Sequence, residues 1–374
     1  MNNIIYFKPA KQTENIGDLL INLVEVDLLR PYGQIVIDDS STPAWFVEEI
    51  STGVTDQRLS QISAKPLIKT LASQLWKEKF SSDKKNQYYM VIQPGHTSRQ
   101  GFKAAYSSFR LNSKMFLLKL LGCRILRIGF SIGPFDNYNG WVESFGSLAY
   151  HFYAVRDHES LKIAQKYHFK RPQYFPDLAW AYAPEKTEKT GLSEYIVVSL
   201  RSNAYGKTHD SAYLKPLMDS LRALLISSKQ QNVKLVVTYQ VKYDRDACVE
   251  IYETFKNEFN TEFVDSKLTL KEANLIYGNA KFVISNRLHV LLLALKCGAL
   301  SFPLVDVNDN KKITSIFQDN NLKDLILDVK ENVAINSEKL EKSLSDRDGV
   351  MAEFKKIQAK NKSVIEQDLS NIFK

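Results

Sequence analysis

Three cysteines in 374 residues, Cys123, Cys248 and Cys297, are too few and too scattered for a disulfide framework or a metal cluster. They suit a reducing compartment. No metal-ligand spacing occurs elsewhere in the chain, so no metal or other cofactor is expected. No uninterrupted apolar run is long enough to span a bilayer. The opening residues, MNNIIYFKPAKQ, lack the apolar core and small-residue cleavage site of a signal peptide, which makes the cytoplasm the expected location. Internal repeats and low-complexity tracts are also missing. Nor is the charge of one sign: 50 Lys+Arg against 42 Asp+Glu leave +8. That mild, dispersed excess fits anionic small molecules or an anionic membrane surface at least as well as nucleic acid.

What is present is ordinary for a folded protein, 44% hydrophobic and 25% charged. The length suggests two domains, each able to bury a core. Short β-branched or aromatic runs alternate with longer helix-period stretches. In the first half the strands are expected at Asn3–Phe7, Gln34–Ile37, Tyr88–Gln93, Ile125–Phe130 and Phe152–Val155, with helices at Ile16–Leu29, Ala64–Lys79 and His158–Tyr167. In the second half strands are expected at Tyr195–Leu200, Lys234–Tyr239, Glu262–Val264, Phe282–Ile284 and Ser301–Val305. The helices between them are Ala212–Ser227, Asp246–Asn257, Leu270–Tyr277 and Leu288–Lys296. Such alternation argues for α/β architecture with parallel sheets covered by helices. The polar Pro184–Gly191 stretch, PEKTEKTG, breaks the series and reads as a linker. The expected organisation is two Rossmann-like domains, 1–186 and 192–345, facing across a cleft, with a helical tail, 346–374, returning to the first. Ligands of open parallel sheets bind beyond the carboxyl ends of the strands, so residues just after strands carry the most information.

The sharpest such segment is FVISNRLHVLLLALKCG, Phe282–Gly298, where a buried strand runs into Arg287, Leu288 and His289 and then an apolar helix. A helix N-terminus favours an anion. Arg adds a planar fork for carboxylate or phosphate, and His a proton near neutral pH. The plain structural alternative is an arginine capping a loop beside a satisfied histidine. Arg201 ends another strand in YIVVSLRSN, and two arginines on one sheet edge can share a multiply charged anion. Asn15-Ile16-Gly17-Asp18 follows the first strand; Gly17 permits close backbone approach, and Asp18 is either functional or a capping residue. It lacks the further glycines of a phosphate loop. IGFSIGPF, Ile128–Phe135, reads as a strand ending in a Gly-Pro turn, either a floor for a sugar or only a turn. VRDHES, Val155–Ser160, is again a strand end entering a helix, where Arg156 and Glu159 are either functional or only a local ion pair, and in FPDLA Asp177 either faces the cleft or caps a turn. SKMFLLKLLGCRILR, Ser113–Arg127, is either an interfacial membrane segment or a core helix and strand with solvated basic residues.

Taken together, NIGD, SIGPF, AVRDHESL, FPDLA, VVSLR and ISNRLHVLLLALKCG resemble the polysaccharide pyruvyl transferase family over most of the chain. The resemblance implies a GT-B-like fold with phosphoenolpyruvate in the interdomain cleft as co-substrate. It implies donor binding by Arg201, Arg287, the Leu288 backbone and His289, and by Lys312 in NDNKKITSIF. It also implies a sugar acceptor, such as a galactose-type hexose on a lipid-linked or oligosaccharide precursor, which the Ser113–Arg127 segment could reach by peripheral contact at the inner membrane face. Where the family commonly shows a run of glycines after the third strand, this chain has Gln93-Pro94-Gly95-His96-Thr97-Ser98-Arg99. His96 and Arg99 thereby become acceptor candidates beside Asn15, Gly17, Asp18 and Asp177. Ketal formation needs an acid for C3 of the enol, a base for the hydroxyls and stabilisation of departing phosphate. His289 and Arg287 are the catalytic candidates, with Asp18 and Asp177 as bases. Two rivals are a GT-B nucleotide-sugar glycosyltransferase and a non-catalytic glycan-binding component of polysaccharide assembly. The oligomeric state is not legible.

Overall fold

The computed structural model describes residues 2–10, 12–81, 86–184, 195–203, 206 and 208–374. The expected linker at Pro184–Gly191 lies, beyond Pro184, outside the described residues. The chain forms two compact units. The first comprises residues 1–13, 18–178 and 361–374, and the second residues 14–17 and 179–360. No helix among the described residues is long and apolar enough to cross a membrane.

The first unit is built from β1 (Asn2–Lys8), α1 (Ile16–Leu29), β2 (Gln34–Ile37), α2 (Ala44–Ile50), β3 (Gln57–Arg58), α3 (Leu59–Ile62), α4 (Leu67–Lys79) and β4 (Asn86–Ile92). It continues with β5 (Gly95–Arg99), α5 (Phe102–Leu120), β6 (Arg124–Phe135), α6 (Asn137–Ser147), β7 (Phe152–Val155), α7 (His158–Lys166) and β8 (Gln173–Tyr174). Its strands pair in the order β3-β2-β1-β4-β6-β7-β8, with β5 also on β6. Every described pairing is parallel; Ile5 lies between Ile35 and Tyr89. The strands are apolar on both faces because helices cover both. On one face Tyr6, Met90 and Ile125 meet Leu71, Met115 and Leu118 from α4 and α5. Phe373, near the C-terminus, stacks on Tyr32 with ring centroids 4.8 Å apart and lies 4.6 Å from Tyr89.

The second unit runs β9 (Tyr195–Ser199), α8 (Ser211–Ser227), β10 (Lys234–Tyr239), α9 (Arg245–Phe255), β11 (Thr261–Lys267), α10 (Leu270–Gly278), β12 (Phe282–Ser285) and α11 (Leu288–Lys296). After these come β13 (Leu300–Val305), α12 (Lys311–Asp319), β14 (Leu327–Asp328), α13 (Val333–Ser345) and α14 (Arg347–Phe373). The sheet order is β11-β10-β9-β12-β13-β14, again parallel, with Val197 between Val236 and Val283. Helix starts follow local chemistry. The Asp210 carboxylate accepts from the N–H groups of Ala212 and Tyr213 at α8, and Thr269 and Glu272 form a reciprocal capping box at α10.

Two readings of the sequence need correction. The IGFSIGPF segment does not turn at its Gly-Pro: β6 continues to Phe135 because β5 supplies a partner along Phe130–Phe135. Residues 128–133 are buried, and β6 pairs with β7 as far as Phe130. Arg156 and Glu159 are not a pair. Arg156 reaches the buried Asp177 carboxylate at 2.7 Å and donates to the Ser131 hydroxyl at 2.9 Å, while Glu159 takes Lys162 at 2.7 Å.

Both sheets reverse their winding once. In the first the reversal falls between β1 and β4, and in the second between β9 and β12. Such switch points open a crevice at the carboxyl ends of the strands. The NIGD and QPGHTSR segments follow β1 and β4, while Arg201 and Arg287 follow β9 and β12.

Candidate active site

The site in the second unit starts from main-chain pairing at the β9/β12 switch point. Ser285 donates its hydroxyl to the Ser199 carbonyl at 2.6 Å. The fully buried Asn286 accepts from the Arg201 N–H at 2.8 Å and donates to the Arg201 carbonyl at 3.0 Å. One amide thus fixes the backbone on which Arg201 is carried. A buried peptide group without partners would cost about 1–3 kcal/mol, so this two-point clamp holds a loop that has left the sheet ladder.

Arg287 occupies the N-cap of α11, its own N–H bonded to the Ser285 hydroxyl at 3.0 Å. Its guanidinium grips Asp244 in a fork: Nε donates to Oδ2 at 2.8 Å and a terminal N–H to Oδ1. It also lies 5.3 Å from the Tyr243 ring centroid. Burial alone would lower the Arg287 pKa, but the Asp244 carboxylate more than offsets this and raises it. Asp244 is itself raised by burial, against the opposing pull of Arg287 and Arg201.

Arg201 differs. Its Nε is buried and has no hydrogen-bond partner among the described residues. Burial, reinforced by the neighbouring Arg287 charge, lowers its pKa. Two guanidiniums therefore share one corner, and only Arg287 has a two-point carboxylate contact.

His289 lies in the first turn of α11, half-buried, against Gly17. A Cβ on Gly17 would stand 2.3 Å from His289 Nδ1, so only glycine admits the ring. Asn15 holds that approach: its side-chain oxygen accepts the Gly17 N–H at 2.9 Å, and its backbone bridges Val241. Leu288 is buried. Lys312, half-buried, opens α12, whose N-cap Asn310 donates to the Tyr213 hydroxyl at 3.2 Å. Tyr213 in turn lies close enough to Arg201 to act on its charge.

Thus Asn15, Gly17, Arg201, Arg287, Leu288, His289 and Lys312 belong to the second unit, and Asp18, His96, Arg99 and Asp177 to the first. Within the first, Asp18 is half-buried in the opening turn of α1, where its carbonyl accepts from Asn22 at 2.6 Å. His96 is exposed on β5. Arg99 forms an ion pair with Glu143 at 3.0 Å, and Asp177 is fully engaged by Arg156.

Several neighbours escape a reading of the sequence alone. Asp244 and Tyr243 carry no motif of their own, and Asn286 lies within the ISNRLH segment without being singled out. Beyond Arg201, His209 bridges the Ser202 hydroxyl at 2.9 Å and Glu250 at 2.8 Å, tying the loop after β9 to α9. A hint lay in position, since Asp244 follows β10 as Arg201 follows β9.

A family model for polysaccharide pyruvyl transferases matches residues 15–304. The chain belongs to the polysaccharide pyruvyl transferase family. Membership makes it a transferase of polysaccharide biosynthesis with a sugar acceptor. The match takes in both switch-point segments. No curated protein matches the sequence. Among solved structures, UDP-GlcNAc 2-epimerase from Neisseria meningitidis, bound to UDP-GlcNAc, aligns with a TM-score of 0.57 at 9% identity, covering 100% of this chain and 99% of that one. A mutant O-GlcNAc transferase from Thermobaculum terrenum aligns at 0.56 and 11%, covering 100% and 67%. A UDP-forming α,α-trehalose-phosphate synthase from Burkholderia vietnamiensis aligns at 0.54 and 10%, covering 100% and 99%. At these identities the likeness is one of fold, the GT-B arrangement of two parallel sheets with alternating helices.

Proposed function

We propose that this family member transfers the enolpyruvyl carbons of phosphoenolpyruvate to a sugar as a ketal, releasing phosphate, without a metal or other cofactor. The observation that carries the reading is the Arg201 Nε, buried and without a hydrogen-bond partner among the described residues, beside a second guanidinium at a β-sheet switch point. A buried N–H left without a partner is costly, and arginine does not shed its proton. A small polyanion relieves that cost. Phosphoenolpyruvate offers a carboxylate and a phosphate, and it suits the set Arg201, Arg287, the Leu288 backbone, His289 and Lys312.

In this reading C3 of the enol gains a proton, C2 becomes cationic, and one sugar hydroxyl adds there. A second hydroxyl then displaces phosphate and closes the ring. His289 donates toward the departing phosphate and Arg287 stabilises its charge. Asp18 serves as base. Asn15, Gly17, Asp18, His96, Arg99 and Asp177 form the acceptor side, although Arg99 and Asp177 are already ion-paired. His96, exposed on β5, offers an imidazole to a hexose hydroxyl. The acceptor is a hexose on a lipid-linked or oligosaccharide carrier.

Thermal shift and phosphate release test this. Phosphoenolpyruvate should raise the Tm, and Arg201→Ala should lower kcat/KM about 10- to 150-fold, the loss of one charge-assisted contact. Stabilisation by a nucleotide sugar and not by phosphoenolpyruvate would replace this reading with glycosyl transfer. Glycan binding without phosphate release would make the protein a binding component.

A further inference from the structure

Apolar side chains left in water are unevenly distributed over the molecule. Of 17 large hydrophobic side chains exposed among the described residues, nine sit on α5 and α6. On α5 they are Phe102, Tyr106, Phe109, Leu117 and Leu120, spaced by three, four or eight residues and so forming one helical stripe. Phe102 is 79% exposed and Leu120 76%. On α6, Tyr138, Trp141, Phe145 and Leu148, the last its C-cap, form a second stripe with the same period.

The stripes lie side by side. The α6 N-cap Asp136 accepts from the Gly101 N–H at the start of α5, and Lys119 near its end reaches the Leu148 carbonyl. Between these ends, Phe109 and Phe116 stand 6.2 and 5.0 Å from the Phe145 ring. The helices therefore run parallel. They are held close at Gly146, where a Cβ would stand 2.2 Å from the Asn112 side chain. Packing that is tight inside while leaving aromatic rings outside is not the signature of a loosely covered core.

Charge identifies what covers this face. Helix α5 has no acidic residue, and exposed Lys103, Arg110 and Lys114 flank its stripe. The acid within α6, Glu143, is 7% exposed and paired with Arg99. A second copy docking face to face would bring like charges together. A zwitterionic or neutral surface would make no use of the basic flank. An aromatic and leucine stripe bordered by cations matches the boundary of an anionic bilayer, where rings enter the headgroup level and cations meet the lipid charge.

We propose that the α5/α6 face of the first unit docks on anionic lipid membrane, so that the enzyme works as a peripheral protein. Cosedimentation with vesicles of phosphatidylglycerol and phosphatidylcholine in equal parts tests this, against vesicles of phosphatidylcholine alone. Wild-type protein should bind the former, less at high salt, and not the latter. The triple variant Lys103→Glu, Arg110→Glu, Lys114→Glu should lose on the order of a hundredfold in partitioning. Leu120→Ser with Trp141→Ser should lose a similar factor. All five positions are exposed, so circular dichroism and the Tm should not change. No binding to the anionic vesicles, or equal binding by the variants, would overturn the proposal. So would a wild-type dimer, seen by analytical ultracentrifugation, that Leu120→Ser with Trp141→Ser converts to monomer. The assay uses no phosphoenolpyruvate, so its outcome is independent of the donor assignment.

Discussion

Two ionisable side chains hold buried atoms without a hydrogen-bond partner among the described residues, for different reasons. Glu25, inside α1, is fully buried, and neither carboxylate oxygen has a hydrogen-bond partner among the described residues. Burial pushes its pKa well above 4.5, so the folded chain holds it as a neutral acid. Arg201 has no such escape, because a guanidinium keeps its proton at any ordinary pH; Asp244 eases its charge but already serves Arg287, and the Arg201 Nε keeps no hydrogen-bond partner among the described residues. For Glu25 the linkage has a definite sign. Above pH 4.5 the unfolded chain ionises this residue while the folded chain does not. Its contribution is therefore complete below that pH. It is lost as pH rises toward the folded pKa, by about 1.4 kcal/mol per pH unit at most. Glu25→Gln, which keeps the shape of the neutral acid, should melt progressively higher than wild type as pH increases from 5 to 8. Near pH 4.5 the two should converge. Parallel Tm curves across that range would show that Glu25 is ionised in the fold.

At the scale of elements, the first turn of α11 is fitted to Gly17, the second residue of α1. Gly17→Ala would force a methyl to 2.3 Å from His289 Nδ1. Either the ring or the backbone must yield, which costs about 1–3 kcal/mol when a site is overpacked, and the imidazole leaves its place. We expect kcat/KM for phosphoenolpyruvate to fall at least about tenfold. Gly17→Ala in a His289→Gly background should cost less Tm than in wild type, because both the ring and the Cβ it would meet are gone. If the two Tm losses simply add, the two residues are not packed as described. The sequence made α1 and α11 visible, the former at Ile16–Leu29 and the latter at Leu288–Lys296, because each has a dense apolar period. Four strands of the second sheet, β9, β10, β12 and β13, were visible for the same reason, as runs buried on both faces. Of helix α5 only the end was visible, within Ser113–Arg127, since its outward stripe is as apolar as its inward one and the segment has no single period. In α6, Asn137, Asn139, Gly140 and Gly146 read as turn residues, although Gly140 and Gly146 serve close packing. The arginines after β9 and β12 were legible from their place after strands. The Arg287 partner was not, because no spacing rule links positions 244 and 287, and only the parallel neighbours β10, β9 and β12 bring those loops together.

At the scale of the whole molecule, each unit carries its own parallel sheet with its own winding reversal, and the donor set falls on one of them. Arg201, Arg287, Leu288, His289 and Lys312 are all in the unit formed by residues 14–17 and 179–360. A ligand that binds only the folded state stabilises what it touches by about 2.7 kcal/mol at a hundred times its Kd. For amides that exchange through opening of that unit, this is about a hundredfold slowing. Hydrogen exchange with phosphoenolpyruvate alone should therefore protect Ser199–Asn203, Ser285–Val290 and the start of α12. Amides of β5 and of the β6 end, Phe130–Phe135, should exchange at their unliganded rate until a sugar is added. Protection centred on Gly95–Arg99, with none at Arg201 or Arg287, would move the donor to the other sheet. The two buried guanidiniums would then need a different anion to explain them.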